Sequence, residues 1–329
     1  MAATTPGQDV PGPRATIGND DLPPLFRSND KWALNRQSEA FRATMTQLSL
    51  LLVATFFATL ADHFDSHVLT ALSALLYGLT VVAGVVIQRR RARAHWQAHR
   101  DAAEAVKSLA WQYMVHGGPF HSAVRDADGL FAQQLEEHLR SLRRIGWQEP
   151  ARDPGSTPAG PRNTLWDPAS RHEPDDPRHP QITRAMRAVR EKPFTVRRDI
   201  YLRDRVVEQL SWYSGRAVQA RRSAAVWSML TALLTLLALA AAVARSAGIA
   251  TGWDLSGLLA ASAATGVAWL ETRRHHPLSY AHTLVREGLE TQRAVLARSV
   301  AEERWPQAVA DTEHLMLPQH TDWLARFGG

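Results

Sequence analysis

The chain has 329 residues, of which 45% are hydrophobic, and this is enough to build a sizeable core in more than one domain. It contains no cysteine, which excludes disulfides, thiolate catalysis and cysteine-ligated metal centres. The formal net charge of +6 and the pI near 10.1 indicate an anionic partner. Both a nucleic acid and the inner leaflet of a membrane would fit that charge.

Residues 1–24 are predicted to be a disordered tail, and four long apolar segments follow them. The segments contain no Asp, Glu, Lys or Arg, and they are residues 43–61, 66–88, 223–244 and 255–270. At about 1.5 Å per helical residue the third is ~33 Å long, which matches a hydrocarbon core of about 30 Å. The fourth is only ~24 Å long by the same rise, so it needs local thinning of the bilayer to span it. We predict four membrane-spanning helices, the fourth being the shortest.

Short connections pair these segments into two helical hairpins. "DHFDS" joins the first two segments and "RSAGIATGWD" joins the last two, so each hairpin returns to its starting side. Basic residues flank the open ends of both hairpins, whereas the two connections contain only Arg245. Positive charge is retained in the cytoplasm, so we predict that both termini and the middle of the chain are cytoplasmic. The predicted membrane-interface anchors are Arg89, Arg90, Arg91, Arg93, Arg221, Arg222, Arg273 and Arg274.

A soluble nucleic-acid arm would also explain a run such as "VVIQRRRARAHW", in which arginines follow an apolar stretch. The same arrangement occurs at both hairpins, and this favours a membrane anchor over a single nucleic-acid patch. We therefore predict a lipid bilayer as the anionic partner and no nucleic acid.

Outside the hairpins, apolar residues recur at helical spacing and predict a coiled-coil-like bundle of cytosolic helices. The predicted stripe of this bundle includes Trp111, Tyr113, Val206, Leu210, Trp212 and Tyr213. A proline-rich linker at 149–180 separates a first two-helix module, 25–148, from a second, 181–329. At an offset of 180 residues Trp32 matches Trp212 and Arg36 matches Arg216, which indicates duplication, although chance also produces matches in a chain rich in Ala and Arg.

Small and hydroxylic residues within the apolar segments are the candidates for helix packing and for a polar path. Gly78, Gly84, Gly257 and Gly266 each lie four residues from another small residue, a spacing that lets helices approach closely. The hydroxyl groups of Thr231, Thr235, Ser262 and Thr265 could line a water-filled path. The alternative is that these hydroxyls bond back to their own helices.

No catalytic motif is present in the sequence. It contains no glycine-rich phosphate loop, no H-E-x-x-H and no G-x-S-x-G. The acidic and histidine side chains of "DHFDSH" could gather around one ion, but a polar hairpin turn at a membrane surface has the same composition. We therefore assign no catalytic, cofactor-binding or metal-binding residue and expect no enzyme activity.

Several strings outside the apolar segments resemble one family. They are "DLPPLFRSNDKWALNRQSEAFRA", "DAAEAVKSLAWQYMVHGGPF", "YLRDRVVEQLSWYSGRAVQA" and "DTEHLMLPQHTDWLARF". They resemble the SMODS and SLOG-associating two-transmembrane effector (SLATT) family, and their order indicates two such modules in tandem.

The resemblance implies a role in bacterial conflict. SLATT proteins are expected to be membrane effectors, encoded beside proteins that make or sense nucleotides, which permeabilise the cell's own membrane after phage infection. The sequence has no sensor or synthetase domain of its own that we recognise, so the resemblance implies a trigger supplied by a separate protein.

We therefore predict an all-α membrane protein with two transmembrane hairpins and a cytosolic helical bundle, located in the bacterial inner membrane. Its expected role is that of an oligomeric, pore-forming or membrane-disrupting antiphage effector that assembles with copies of itself. The alternative is a non-catalytic membrane scaffold that recruits cytosolic partners through the bundle.

Overall fold

The computed structural model describes residues 16–90, 92–144, 174, 176–249, 255–273, 275–298 and 300–317. Regular structure in these residues is helical, and the one extended pairing among them is an isolated antiparallel bridge between Pro174 and Thr183. The all-helical prediction is therefore confirmed.

The first half of the chain forms four helices. They are α1 (Pro24–Phe64), α2 (His67–Arg90), α3 (Ala92–Val115) and α4 (Ala127–Arg144). Pro24 occupies the first turn of α1, where its missing N–H removes no helical hydrogen bond. Asp65 ends α1 in the left-handed conformation with φ 46°, and α2 then runs back along α1 as predicted for a hairpin.

The second half repeats this plan after two short helices. Its helices are α5 (Arg184–Arg190), α6 (Phe194–Tyr201), α7 (Glu208–Ser246), α8 (Leu255–Arg273), α9 (His275–Ala297) and α10 (Trp305–Met316). A π-helical turn, Leu202–Val207, joins α6 to α7, so that one continuous helix of 53 residues runs from Phe194 to Ser246. A long helix, a second apolar helix and an amphipathic helix thus follow each other in both halves.

Three helices of the described residues are long and apolar enough to cross a membrane: Pro24–Phe64, His67–Arg89 and Phe194–Ser246. Helix α8, which contains the fourth apolar segment, is not one of them. Its 19 residues leave little length to spare, because its last turn carries the charged residues Glu271 and Arg273. A fourth membrane span therefore stays a prediction.

The apolar helices form an open row in the order α2, α1, α8, α7. Extensive packing joins α1 to α2 and α7 to α8, and a smaller contact joins α1 to α8. Among the described helices there is no comparable packing of α2 against α7, of α2 against α8 or of α1 against α7. Helices α2 and α7 therefore form the two edges of the row.

The remaining helices and the polar ends of α1 and α7 surround one shared core, which we call the polar bundle. Its core draws on both halves of the chain, from Leu22 and Phe26 to Leu289 and Trp305. Packing begins earlier than we predicted, because Ile17 and Leu22 are buried although residues 16–24 were assigned to the disordered tail. Their side chains add apolar area to the core, which a tail of polar composition would not. Residues 1–15 and most of the predicted linker lie outside the described residues.

Candidate functional site: the junction between the polar bundle and the apolar hairpins

The predicted stripe lies in the core of the polar bundle. Five of its six side chains are buried, and Trp212 is half-buried against them; the buried ones are Trp111, Tyr113, Val206, Leu210 and Tyr213. Trp111 on α3 meets Tyr201 on α6 edge to face, with ring centroids 6.0 Å apart. The core therefore joins helix α3 of the first half to the long helix of the second half.

Hydrogen bonds between the two halves close this core. The indole N–H of Trp305 donates to the Val115 carbonyl oxygen at 2.7 Å, and Arg190 Nη1 donates to the Tyr113 carbonyl oxygen at 2.6 Å. The Thr183 hydroxyl donates to the Asp21 carbonyl oxygen at 2.6 Å. Because these bonds satisfy buried polar groups of one half with groups of the other, separating the halves would leave them unpaired.

The glycine turn after α3 fits closely against α10. His116 and Gly118 have left-handed φ angles of 60° and 50°, and a Cβ on Gly117 would lie 2.3 Å from Val309 Cγ1. The "HGGPF" string of the sequence thus forms the turn that seats α10, which explains why its glycines are needed.

A buried ion pair anchors α10 to the long helix. Arg205 donates to both carboxylate oxygens of Glu313, at 3.1 Å from Nε and 2.8 Å from Nη2, and the Tyr201 hydroxyl donates to Glu313 at 3.0 Å. The side chains of Arg205 and Glu313 are each 1% exposed. Burial raises the pKa of Tyr201 well above its ordinary value, with the Glu313 carboxylate adding to the rise. Burial also lowers the pKa of Lys107 on α3, and the positive charge of Arg205 adds to that effect.

A tryptophan cluster occurs twice, each time between the polar bundle and an apolar segment. Arg36 Cζ lies 5.5 Å from the ring centroid of Trp32, and Arg216 Cζ lies 5.3 Å from that of Trp212. In the first half the ring of His99 on α3 stacks on Trp32 at 5.9 Å. The structure therefore gives the matched positions of the two halves the same neighbours.

The second cluster also has a histidine, and it receives a residue from the first half. His282 on α9 lies edge-on to Trp212 at 5.6 Å, and Arg100 on α3 approaches the same Trp212 ring at 5.9 Å. Burial, together with the positive charges of Arg100 and Arg216, lowers the pKa of His282 to about 4. His282 is therefore neutral at ordinary pH, which suits its place among cations and aromatic rings.

The four candidate glycines divide into two pairs. A Cβ on Gly84 would lie 2.8 Å from Gln47 Nε2 on α1, and one on Gly266 would lie 2.4 Å from Thr231 Cγ2 on α7. The space around a Cβ on Gly78 or Gly257 is open to at least 4 Å. Gly84 and Gly266 thus permit close packing inside each hairpin, and for the other two, packing between copies of the chain stays a prediction.

The hydroxyl candidates bond back to their own helices. Thr231, Thr235, Ser262 and Thr265 donate to the carbonyl oxygens of Ser228, Thr231, Leu258 and Ala261, at 2.8 to 2.9 Å. Thr231 is buried between α7 and α8, whereas Thr235 is exposed. The oxygen of a donating hydroxyl still accepts hydrogen bonds, so these positions can still accept bonds from water.

The candidate anchors lie at the polar ends of the apolar segments. Arg89, Arg221 and Arg222 are exposed, and Arg273 Cζ lies 3.9 Å from the ring centroid of Phe41. The side chains of Arg90, Arg91 and Arg93, and the whole of Arg274, lie outside the described residues. Arg273 on α8 thus connects the two hairpins through its contact with Phe41 on α1.

The described residues contain no group of three or more His, Asp or Glu side chains that could hold a metal ion, and the "DHFDSH" turn is among the residues searched. The junction therefore combines an apolar surface with basic side chains, and a continuous helix runs from the polar bundle into the apolar segment.

These features define a helical protein with two apolar hairpins attached to one polar bundle. Two family models match the chain: the SMODS and SLOG-associating 2TM effector domain 3 matches residues 23–164, and effector domain 1 of the same series matches residues 201–323. The chain therefore contains two SLATT domains in tandem, as the sequence motifs predicted. SLATT domains are effector domains associated with SMODS and SLOG nucleotide-signalling proteins. No curated protein and no solved structure matches the chain.

Sequence reasoning missed three parts of the junction: the Arg205–Glu313 pair, the Trp305 bond and the histidines beside the two tryptophans. Arg205 and Glu313 are 108 positions apart, so no local spacing points to their pairing. A signal for His99 and His282 was available, because each follows an apolar segment in the repeated plan at nearly the same distance from its glycine.

Proposed function

We propose that this protein is a membrane effector of a bacterial conflict system, which permeabilises the membrane when its polar bundles are gathered. The observation that carries the proposal is the unbroken helix from Phe194 to Ser246. Its residues Leu210, Tyr213 and Ala217 are buried at the polar bundle, and the same helix continues into the apolar segment. A rearrangement of the bundle can therefore be transmitted along one rigid element to the membrane.

The proposed topology places the polar bundle and both termini in the cytoplasm of a bacterial cell. The basic residues Arg89, Arg221 and Arg222 are exposed at the bundle side of the apolar segments, whereas the described part of the opposite ends has Arg245 alone. Retention of basic residues in the cytoplasm supports this orientation.

The proposed trigger is a separate nucleotide-making or nucleotide-sensing protein. Its association with SLATT domains supports this assignment, and the bundle is the part of the molecule that such a soluble partner can reach. Gathering several copies would bring hydroxyl-bearing faces, such as those at Thr235, together within the bilayer, where polar groups are stable only against each other or water.

Forced clustering in living cells tests the proposal. A dimerising domain fused after Gly329 would be expressed with the full chain, and membrane potential would be followed with a fluorescent dye. We expect loss of potential when a permeant dimeriser is added and none with an impermeant one, because the fusion is cytoplasmic. Leu210→Asp with Tyr213→Asp should abolish the loss, since two carboxylates in the bundle core break its connection to the span.

The matched control carries the same two charges on an exposed face of the same helix. Val207 is 39% exposed and Ser211 is exposed, so Val207→Asp with Ser211→Asp should depolarise cells like the original chain. If clustering produces oligomers while the potential and growth stay unchanged, the scaffold function replaces the effector function.

A further inference from the structure

The two apolar hairpins meet through helices that do not correspond to each other in the internal repeat. The matching tryptophan clusters equate α1 with α7, and the packed glycines Gly84 and Gly266 equate α2 with α8. The contact between the hairpins joins α1 to α8, with the rings of Phe41 and Trp269 6.4 Å apart. It is therefore a head-to-tail contact, which one hairpin can pass on to the next.

Helices α2 and α7 are left with open apolar faces. Val81 on α2 is 67% exposed and Met229 on α7 is 71% exposed, whereas the exposed large hydrophobic side chains of α8 are Leu255 and Val267. Extensive packing of α2 involves α1 alone among the described helices. Within one chain the head-to-tail series thus ends at the open face of α7 and at the open face of α2.

We propose that a second copy of this chain docks its α2 against α7, repeating the contact that α1 and α8 make within one copy, and that further copies extend this head-to-tail series in the membrane. The inference rests on the proposed membrane insertion and assembly. Continuity with the α1–α8 interface selects the occupant, because a head-to-tail contact leaves the same two faces free on every copy added. Gly78 on the open face of α2 has no atom within 4 Å of a Cβ position, so a neighbouring helix can approach its backbone closely.

The internal repeat also fixes the register of this contact. Phe41 corresponds to Arg221, 180 residues later. Gly84 and Gly266 show that α2 and α8 are offset by 182 residues, so Trp269 corresponds to Ile87. Arg221 and Ile87 should therefore lie at the same level on two antiparallel helices. Twelve residues further into the apolar segments the same register places Leu233 of one copy at the same level as Leu75 of the next, and both side chains lie on the exposed faces of their helices.

One feature of the inner contact does not repeat, since an arginine occupies position 221 where Phe41 stands in the first half. The exposed Arg221 would then lie near the exposed Arg89 of the next copy. Like charges repel each other, so anionic lipid headgroups between them would favour the contact as counter-ions.

Disulfide cross-linking tests the contact directly, because the chain contains no cysteine. Leu75 and Leu233 are 61% and 52% exposed, and both would be replaced by cysteine in one full chain. Oxidation of membranes that contain this chain should give a ladder of covalent multimers, since each copy bonds to two different neighbours. The single variants Leu75→Cys and Leu233→Cys should stay monomeric, because a head-to-tail contact never places a position opposite itself.

Ser73 provides the matched control on α2. It is 6% exposed and faces the interior of the hairpin, so Ser73→Cys with Leu233→Cys should give no ladder. Dimers from either single variant, or native oligomers without a ladder in the Leu75–Leu233 variant, would overturn the proposed contact. A ladder without loss of membrane potential on clustering would contradict the effector function alone, and loss of potential without a ladder would contradict the head-to-tail contact alone.

Discussion

At the scale of single residues, a buried ion pair contributes to the position of the last helix of the second SLATT domain. Arg205 and Glu313 are almost completely enclosed and bond through two nitrogens, and Tyr201 completes the carboxylate's hydrogen bonds. A buried pair is not in itself strongly stabilising, because both ions lose their hydration. Loss of one partner is costly, because it leaves the other charge buried without compensation.

Glu313→Gln should therefore destabilise the polar bundle by about 3–5 kcal/mol. Glu290→Gln is the matched control, because Glu290 is exposed and pairs with Arg286 on the surface of α9 at 2.8 Å. A surface pair of this kind contributes about 0.3–0.5 kcal/mol. Thermal unfolding of both variants in detergent, followed by circular dichroism, measures the difference, and equal midpoints would show that Arg205 does not need its partner.

The sequence could identify the stripe residues but not this pair. Helical periodicity shows which face of a helix is apolar, and Val206, Leu210 and Tyr213, which it assigned to the bundle, are buried. Periodicity carries no information about which distant helix covers that face. Arg205 occupies a buried position on the same helix because Glu313 neutralises it, and only the tertiary structure reveals that contact.

At the scale of helices, the hairpins could be predicted well because charge-free length is a strong and local signal. Helix α8 marks the limit of that signal, since its charge-free part, residues 255–270, is the shortest of the four. The sequence also could not show that Ile17 packs into the core, because an isolated apolar residue in a polar stretch has no periodicity. Nor could it show the order of helices in the row, which depends on contacts between the halves.

The packing role of α8 predicts different effects for its two glycines. Gly266→Leu forces a side chain against Thr231, and overpacking of this kind costs about 1–3 kcal/mol. Gly257→Leu on the same helix meets open space, so it gains the same helix propensity without the clash. Thermal unfolding in detergent should show a lower midpoint for the first variant alone. No loss in either variant would mean that α7 and α8 separate easily, and a similar loss in both would mean that the clash with Thr231 is not its cause.

At the scale of the whole molecule, the two SLATT domains behave as one structural unit. Their polar helices share a core, and bonds such as Trp305 to Val115 and Arg190 to Tyr113 cross between them. The internal repeat therefore has a consequence that a single domain lacks, namely a built-in contact between two hairpins. A chain that already contains one such contact has a template for the next, which favours assembly of whole chains over assembly of separate hairpins.

Release of a dye from reconstituted vesicles measures most directly whether gathering these chains makes a membrane permeable, as proposed. The purified full chain with a dimerising domain after Gly329 would be inserted into vesicles of phosphatidylethanolamine and phosphatidylglycerol that contain a self-quenched dye. We predict dye release on addition of the dimeriser, and no release from vesicles that contain the Leu210→Asp and Tyr213→Asp variant. Oligomers of the unsubstituted chain that form in these vesicles without releasing the dye would contradict the account.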